Sequence, residues 1–390
     1  MPSTPSGRPQ PLLAGRRLIP ALLLALLPIA GAAQAADPPV TVKTGAHTVR
    51  VVTVTRGLDR PWGMAFLPNG DMLITERRGR LRLYTKGRLQ PAAIPGVPKV
   101  LARGQGGLLD IALHPEFARN RLVYLSYSGI GRGGAGTEVA RARFTGSALQ
   151  DLQVIFRVEP KTRGTLHYGS RLLFTPDGLL YITIGERSDY RDEAQNIANH
   201  LGTVIRLTDD GQVPQDNPFV GRTDARPEIY SYGHRNPQGM DYNAARGEVW
   251  IHEHGPRGGD EVNIVRPGRN YGWPAITYGI DYSGAVISEH TALPGMEQPV
   301  LHWTPSIAPS GMAFYTGTRF ANWRGNLFVG ALARRHLRRV VLQGDKVVAQ
   351  EVLLRGLEER IRDVRMGPDG LLYLLTDDSD GRLIRLEPAD

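Results

Sequence analysis

Short apolar runs separated by tight polar turns recur along this chain, and long amphipathic helical patterns are scarce. The repeated unit is an apolar strand, a turn of the Pro-Asp-Gly or Pro-Asn-Gly type, and a second apolar strand. It occurs as MAFLPNGDMLITER (64–77), IALHPEFARNRLVYLSYS (111–128) and LLFTPDGLLYITIGER (172–187), then as MDYNAARGEVWIHEHG (240–255), MAFYTGTRFANWRGNLFVGAL (312–332) and VRMGPDGLLYLLTDD (364–378). Each predicts the middle hairpin of a small antiparallel sheet, repeated at irregular intervals of roughly 40–80 residues. A hairpin alone cannot bury both faces, so the economical arrangement stacks six such sheets around an axis. The pattern therefore predicts an all-β fold, a six-bladed β-propeller of four-stranded antiparallel sheets. An ordinary sandwich is the alternative, and its strands would be more evenly spaced. The wider gaps at 187–240 and 255–312 predict loop insertions on one face, where ligand-binding residues gather.

The first residues depart from this pattern. Arg16 and Arg17 precede the apolar run LIPALLLALLPIAGAA, and AQAAD then offers small residues around Ala35 and Ala36. That order predicts a secretory signal peptide over residues 1–35 and a periplasmic protein whose single domain spans 36–390. The apolar run is short and broken by proline, so no membrane span is expected. Its removal takes Arg8, Arg16 and Arg17 and no acidic residue, lowering the formal charge from +9 to +6. The arginines are scattered with no run of like charges, which gives no footprint for nucleic acid. The chain has no cysteine. Stability must then come from a large core or bound metal rather than disulfides, and no thiol follows the leader to carry a lipid.

Several polar, glycine-punctuated stretches carry the candidate chemistry. YGHRNPQGM (232–240) packs Arg235, a planar fork suited to carboxylates, beside Asn236 and Gln238, which each donate and accept. HEHGPRGGDEVNIVRPGRNYGWP (252–274) offers carbonyls at Gly255 and Pro256 and carboxylates at Asp260 and Glu261, with Asp281 following. Such oxygen-rich loops suit calcium. His252 and His254 raise a zinc or copper alternative, for which no third nitrogen or sulfur ligand is evident. GTLHYGSRLLF (164–174) places His167 just before a strand, and Gln105 sits among glycines in RGQGGLLDIALHP (103–115). In EERIRDV (358–364), Arg360 and Arg362 share one face and Asp363 takes the other. Two guanidiniums on one face repel unless something anionic lies between them.

In this order, GQGGLLDIALHPEF, LHYGSRLLFTPDG, YGHRNPQG, HGPRGGDEVN, NYGWP and RIRDV resemble the soluble PQQ-dependent sugar dehydrogenases, most closely the aldose sugar dehydrogenase branch. The resemblance runs from about Leu58 to the C-terminus. It implies a six-bladed propeller with pyrroloquinoline quinone (PQQ) lying flat on one face, and aldose oxidation at C1 to the lactone. His167 would be the general base on the anomeric hydroxyl while a hydride passes from C1 to C5 of the quinone. Gln105 would lie near the reacting carbon. Arg235, Asn236, Arg360 and Arg362 would hold the cofactor, and His234 and Gln238 would support the turn. The carbonyls of Gly255 and Pro256 would bind the Ca²⁺ that polarises the quinone, while Glu261, Tyr271 and Asp281 would serve a second, structural Ca²⁺. An external acceptor (a cytochrome, a quinone or a dye) would take the electrons, with the protein a monomer or homodimer. Two positions depart from the family: Ala333 stands where a cofactor-contacting lysine is usual, leaving Arg334 or Arg335 to reach in, and Leu166 stands where the glucose-oxidising branch has an aspartate. A Ca²⁺-dependent propeller lactonase and a non-catalytic binding propeller are the competing assignments.

Overall fold

The structure, a computed structural model, describes residues 37–389 together with residues 7, 8 and 10. Apart from those three, the leader expected over 1–35 lies outside the described residues. The chain divides into Met1–Ala35 and Ala36–Asp390, and the second unit carries the fold.

That unit is a six-bladed β-propeller of antiparallel sheets. The innermost strands are Pro61–Phe66, Leu108–Leu113, Gly169–Phe174, Pro237–Asn243, Pro309–Phe314 and Ile361–Met366, and each touches the next until the sixth meets the first. Five blades have four strands in sequence order from axis to rim. The sixth is built from both ends of the unit: Ile361–Met366, Leu372–Thr376 and Gly381–Pro388 are completed by Thr48–Leu58, which pairs with Gly381–Pro388. Val40–Lys43 adds a fifth strand outside it, one more than the repeat predicts.

The core lies between blades rather than within one central layer. This explains why the second strand of each blade is a near-continuous apolar run instead of an alternating one: both of its faces are covered. In the blade that begins at Pro237, Ile251 packs toward Val204 and Tyr181 of the preceding blade. Its neighbour Trp250 packs toward Phe314 and Val329 of the following one. The same split separates Leu73 from Ile74 and Phe328 from Val329.

Every innermost strand carries a register shift near its start. There the side chains turn to the axis, where a buried ionic plug forms. Arg171 donates to Asp363 at 2.8 Å and Asp110 at 3.4 Å, to the carbonyl of Gln238 at 2.6 Å and to that of Arg362 at 3.2 Å. Arg365 bridges the same two carboxylates from below at 2.7 and 3.1 Å. Gly311 makes room, since a Cβ there would come within 2.4 Å of Asp363. The plug divides the axis, with a mouth at the starts of the innermost strands and a second hollow lined by their later residues and Arg365.

The strand directions determine what lines that mouth. Innermost strands begin there and second strands end there, so crossovers between blades and the turns after second strands converge on it. The 265–300 insertion of the fourth blade also reaches it, pairing Ile280 with Arg257 and placing Tyr282 in the lining. Among the described residues no helix is long and apolar enough to cross a membrane.

Candidate active site

The mouth holds a cavity of about 270 Å³. Its floor is the start of the innermost strands, at Trp62, Leu109, Gly169, Gln238 and Arg362. Its walls come from the crossovers and turns: Gln105, Tyr168, Ala308 and Arg360, then Arg77, His254, Leu332, Ala333 and Asp377.

His167 sits in the crossover into the third blade with φ +50°, a strained left-handed backbone that the surroundings hold in place. Gln105 Oε1 accepts its N–H at 2.8 Å. Arg187 clamps the same loop, stacking 3.5 Å over Tyr168 and donating to Thr162, the Gly164 carbonyl and the Leu166 carbonyl. The imidazole Nδ1 meets Glu186 Oε2 at 2.7 Å. An ionised carboxylate only accepts, so Nδ1 carries the proton and Nε2 is left as the bare acceptor. Nε2 has no hydrogen-bond partner among the described residues. Burial pushes the imidazole pKa below its usual 6.5, and Glu186 opposes that shift. The ring is therefore neutral at pH 7, with a fixed tautomer. Gly185 lets this blade approach, because a Cβ there would lie 2.2 Å from the His167 carbonyl.

The 232–240 loop is tied to this base. The Arg235 carbonyl accepts from Glu186 N at 2.9 Å, Asn236 Oδ1 accepts from Gly169 N at 3.1 Å, and Gln238 Nε2 donates to the Gly169 carbonyl at 3.0 Å. His234 supports the turn as expected, held between Ser231 and Glu253 and stacked on Tyr271 at 4.5 Å. Gln238 does more than support, since it lines the cavity and accepts from Arg362 at 3.3 Å. Arg235 and Asn236 stand behind the wall. The Arg235 guanidinium lies 5.2 Å from the Trp273 ring and donates to the carbonyls of His254 and Gly255 at 2.9 Å.

Arg360 and Arg362 both enter the lining, and the anion between them belongs to the protein. Asp377 accepts from Arg360 at 2.9 and 3.2 Å and from Arg362 at 3.3 Å. This pairing holds the Asp377 carboxyl at about 2 despite burial. Ala333 lines the cavity, but neither Arg334 nor Arg335 does, so the substitute cation expected from them is not there. Arg335 instead turns to the Glu358 carbonyl at 3.3 Å. The additional guanidinium comes from Arg77.

Several polar atoms at the mouth and behind its wall have no partner within the protein. Arg235 Nε, Asn236 Nδ2 and Arg362 Nε are buried donors without a hydrogen-bond partner. With three guanidiniums against one carboxylate in the lining, the cavity suits an anionic organic group.

The expected metal ligands are only partly brought together. A cavity of about 10 Å³ is lined by Arg235, Glu253, Gly255, Gly259, Glu261, Tyr271 and Thr277 among others. Glu253 and Glu261 are register partners on adjacent strands, and burial plus Glu253 push the Glu261 carboxyl up to about 8. A cation there would relieve that repulsion. Asp260 instead anchors the loop, accepting from Gly255 N, Ile307 N, Ala308 N and Ser306. Pro256 lines neither cavity. Asp281 lies elsewhere, accepting from Ser283 and 3.9 Å from Arg191. His252 is fully buried with neither ring nitrogen partnered, and His254 Nε2 meets the Pro309 carbonyl at 2.6 Å. Among the described residues no group of three or more His, Cys, Asp or Glu side chains is arranged to hold a metal.

Fold and mouth together define a six-bladed propeller with a cation-rich axial cavity beside a carboxylate-oriented histidine. Residues 58–385 match the Glucose / Sorbosone dehydrogenase family, and the chain belongs to that family. It is 48% identical over 349 residues to aldose sugar dehydrogenase YliI of Escherichia coli, covering 88% of this chain and 94% of the relative. The crystal structure of the soluble aldose sugar dehydrogenase of Escherichia coli in its apo form superposes with a TM-score of 0.85 at 46% identity, covering 87% of this chain and 99% of that one. The PQQ-bound aldose sugar dehydrogenase of Streptomyces coelicolor gives a TM-score of 0.74 at 30% identity, covering 89% and 99%.

The residues missed from sequence share a place in the repeat. Glu76, Glu186, Glu253 and Asp377 all stand at or just beyond the end of a second strand, in ITER, IGER, IHEH and LTDD. Aligning the repeats at that position would have exposed Glu186, Asp377 and the neighbouring Arg77.

Proposed function

We propose that this protein oxidises aldose sugars at C1 to the lactone, using PQQ and Ca²⁺. The observation that carries this reading is the neutral imidazole of His167, its Nδ1 bound by Glu186, next to a cavity lined by three guanidiniums and one carboxylate. The family membership and the PQQ-bound relative support it.

In this reading Nε2 of His167 takes the proton of the anomeric hydroxyl, and Glu186 stabilises the imidazolium that results. Gln105 holds the His167 backbone and stands in the lining near the reacting carbon. Arg360 and Arg362 would hold the cofactor through guanidiniums already placed by Asp377, and Arg235 and Asn236 would contribute their unpartnered donors from behind the wall. When bound, PQQ with Ca²⁺ supplies the two-electron acceptor for the hydride leaving C1, and an external cytochrome, quinone or dye takes the electrons onward. Of the expected Ca²⁺ ligands, Gly255, Glu261 and Tyr271 share the small cavity and would serve a cation there, whereas Pro256 and Asp281 stand away from it. The Glu253–Glu261 pair has the clearest electrostatic reason to take a cation. The leader implies work in the periplasm. One carboxylate among three guanidiniums in the lining favours an anionic organic ligand over a lactonase's metal-and-carboxylate setting.

The test is an absorbance titration of the purified protein with PQQ plus Ca²⁺, followed by dye reduction with an aldose panel. Oxidation should require both additions and collapse in His167→Ala while PQQ still binds. No dye reduction with any aldose would sink the proposal, lactone hydrolysis without PQQ would favour the lactonase, and unchanged turnover in His167→Ala would remove the base assignment.

A further inference from the structure

Three guanidiniums line the cavity, and they are not equivalent. Arg360 spends Nε and Nη2 on Asp377 and Nη1 on the Leu332 carbonyl at 3.1 Å. Arg362 spends Nη2 on Asp377 and Nη1 on Gln238. Arg77 is different: among the described residues its side chain has neither a hydrogen bond nor an ion pair, although it is half-buried in the same lining.

Its backbone leaves little freedom to escape. Arg77 N donates to the Arg60 carbonyl at 3.1 Å, and the Arg77 carbonyl accepts from Leu108 N at 3.0 Å. Gly107 packs so closely that a Cβ there would lie 1.9 Å from that carbonyl. Burial, and then the nearby Arg60 and Arg360, weaken the hold of Arg77 on its proton, while Asp377 and Asp59 counter them without pairing with its guanidinium. A partly desolvated guanidinium beside two like charges is a favourable position for the carboxylate of a ligand. Asp377 makes no ion pair with Arg77; its Oδ2 takes both Arg360 and Arg362.

We propose that Arg77 is the open arm of a three-guanidinium site, receiving one carboxylate of an organic polycarboxylate whose other acidic group faces the Arg360–Arg362 pair. Two separated cationic points of this kind select ligands with at least two carboxylates. A bidentate guanidinium–carboxylate contact at Arg77 would set ligand orientation as well as affinity. The proposal rests on the reading of this cavity as the cofactor site, and it adds a residue and a ligand class to that reading.

The experiment measures fluorescence quenching by two probes, PQQ with Ca²⁺ and plain benzene-1,3,5-tricarboxylate, on wild type, Arg77→Gln and Arg77→Lys, with the melting temperature of each ligand-free protein. A lost charge-assisted contact should weaken both probes about tenfold or more in Arg77→Gln, with Arg77→Lys closer to wild type. The ligand-free melting temperature of Arg77→Gln should be unchanged or higher, because a partly desolvated charge without a hydrogen-bond partner is removed. Unchanged binding, or weaker binding accompanied by a lower ligand-free melting temperature, overturns the proposal. Tricarboxylate binding that depends on Arg77, without PQQ binding, leaves the anion site standing and removes the cofactor reading. If wild type binds neither probe, both fall.

Discussion

Replacing Glu186 by Gln isolates what the carboxylate does for His167. The two groups meet at 2.7 Å within buried surroundings. With charge centres about 4 Å apart and an effective dielectric near 20, their attraction is about 4 kcal/mol, or about 3 pKa units. Burial already holds His167 below 6.5 with Glu186 opposing it, so loss of the charge lowers the basicity of Nε2 further. If about half of that loss reaches the transition state, as Brønsted behaviour for a partly transferred proton implies, kcat falls about thirtyfold. The pH profile carries a second signature. Wild-type rate should rise through a pKa below 6.5 and level off by neutral pH. In Glu186→Gln that limb should move to still lower pH while the plateau drops. The assay is dye-linked aldose oxidation by the PQQ- and Ca²⁺-loaded enzyme between pH 5 and 8. A plateau within twofold of wild type, or a limb displaced toward higher pH, would refute the assignment of Glu186 as the partner of the base.

Two further expectations concern the framework. Arg171 is buried between Asp110 and Asp363, so Arg171→Met leaves one uncompensated carboxylate at the axis and should cost about 3–5 kcal/mol. For a fold of roughly 350 residues, with an unfolding entropy near 0.7 kcal/mol/K, that is a fall of about 4–7 °C in melting temperature by calorimetry. Adding Asp363→Asn should restore part of it, and a shift below about 1 °C would contradict the plug as described. His252 is buried with both ring nitrogens unpartnered, and burial lowers its pKa to about 3. As pH falls from 6.5 toward 3, the unfolded chain takes a proton that the folded protein refuses, so stability declines by up to about 1.4 kcal/mol per pH unit from this group. His252→Leu should flatten that part of the urea-denaturation profile, and an unaltered slope would show that His252 is not responsible.

Much of the architecture could be read from the chain because its signal is local. Strand, turn and strand appear in consecutive residues, and the uninterrupted apolar runs reflect burial on both faces of each sheet. The added strand Val40–Lys43 was not visible, since four residues outside the repeated strand-turn-strand unit carry too little pattern. At the mouth, Gln105, Arg360 and Arg362 are candidates from their motifs, and all three line the cavity. Glu186 meeting His167 and Asp377 between the two arginines are not legible in the chain, because neither pairing follows from sequence spacing. Asp377 reaches Arg360 from 17 positions away across a hairpin, and Arg171 meets Asp363 from 192 positions away. Arg77 was overlooked for a simpler reason: in TERRGR it reads as one of several surface charges, and only the end of its strand shows which arginine turns inward.

The clasp in the last blade has a consequence for how the ring can come into being. Thr48–Leu58 and Gly381–Pro388 stand at opposite ends of the described chain, yet their pairing closes the circle. Five blades can assemble as neighbours in sequence, but the hoop stays open until the final strands are available. Before then the flank of the first blade that packs Met64 and Ile74 has nothing to lie against. The axial plug waits on the same blade, because Asp363 and Arg365 sit on its innermost strand, Ile361–Met366. Shaping of the mouth and fastening of the clasp are thus one late step. A permuted chain opened between two other blades would move that step without altering the finished ring.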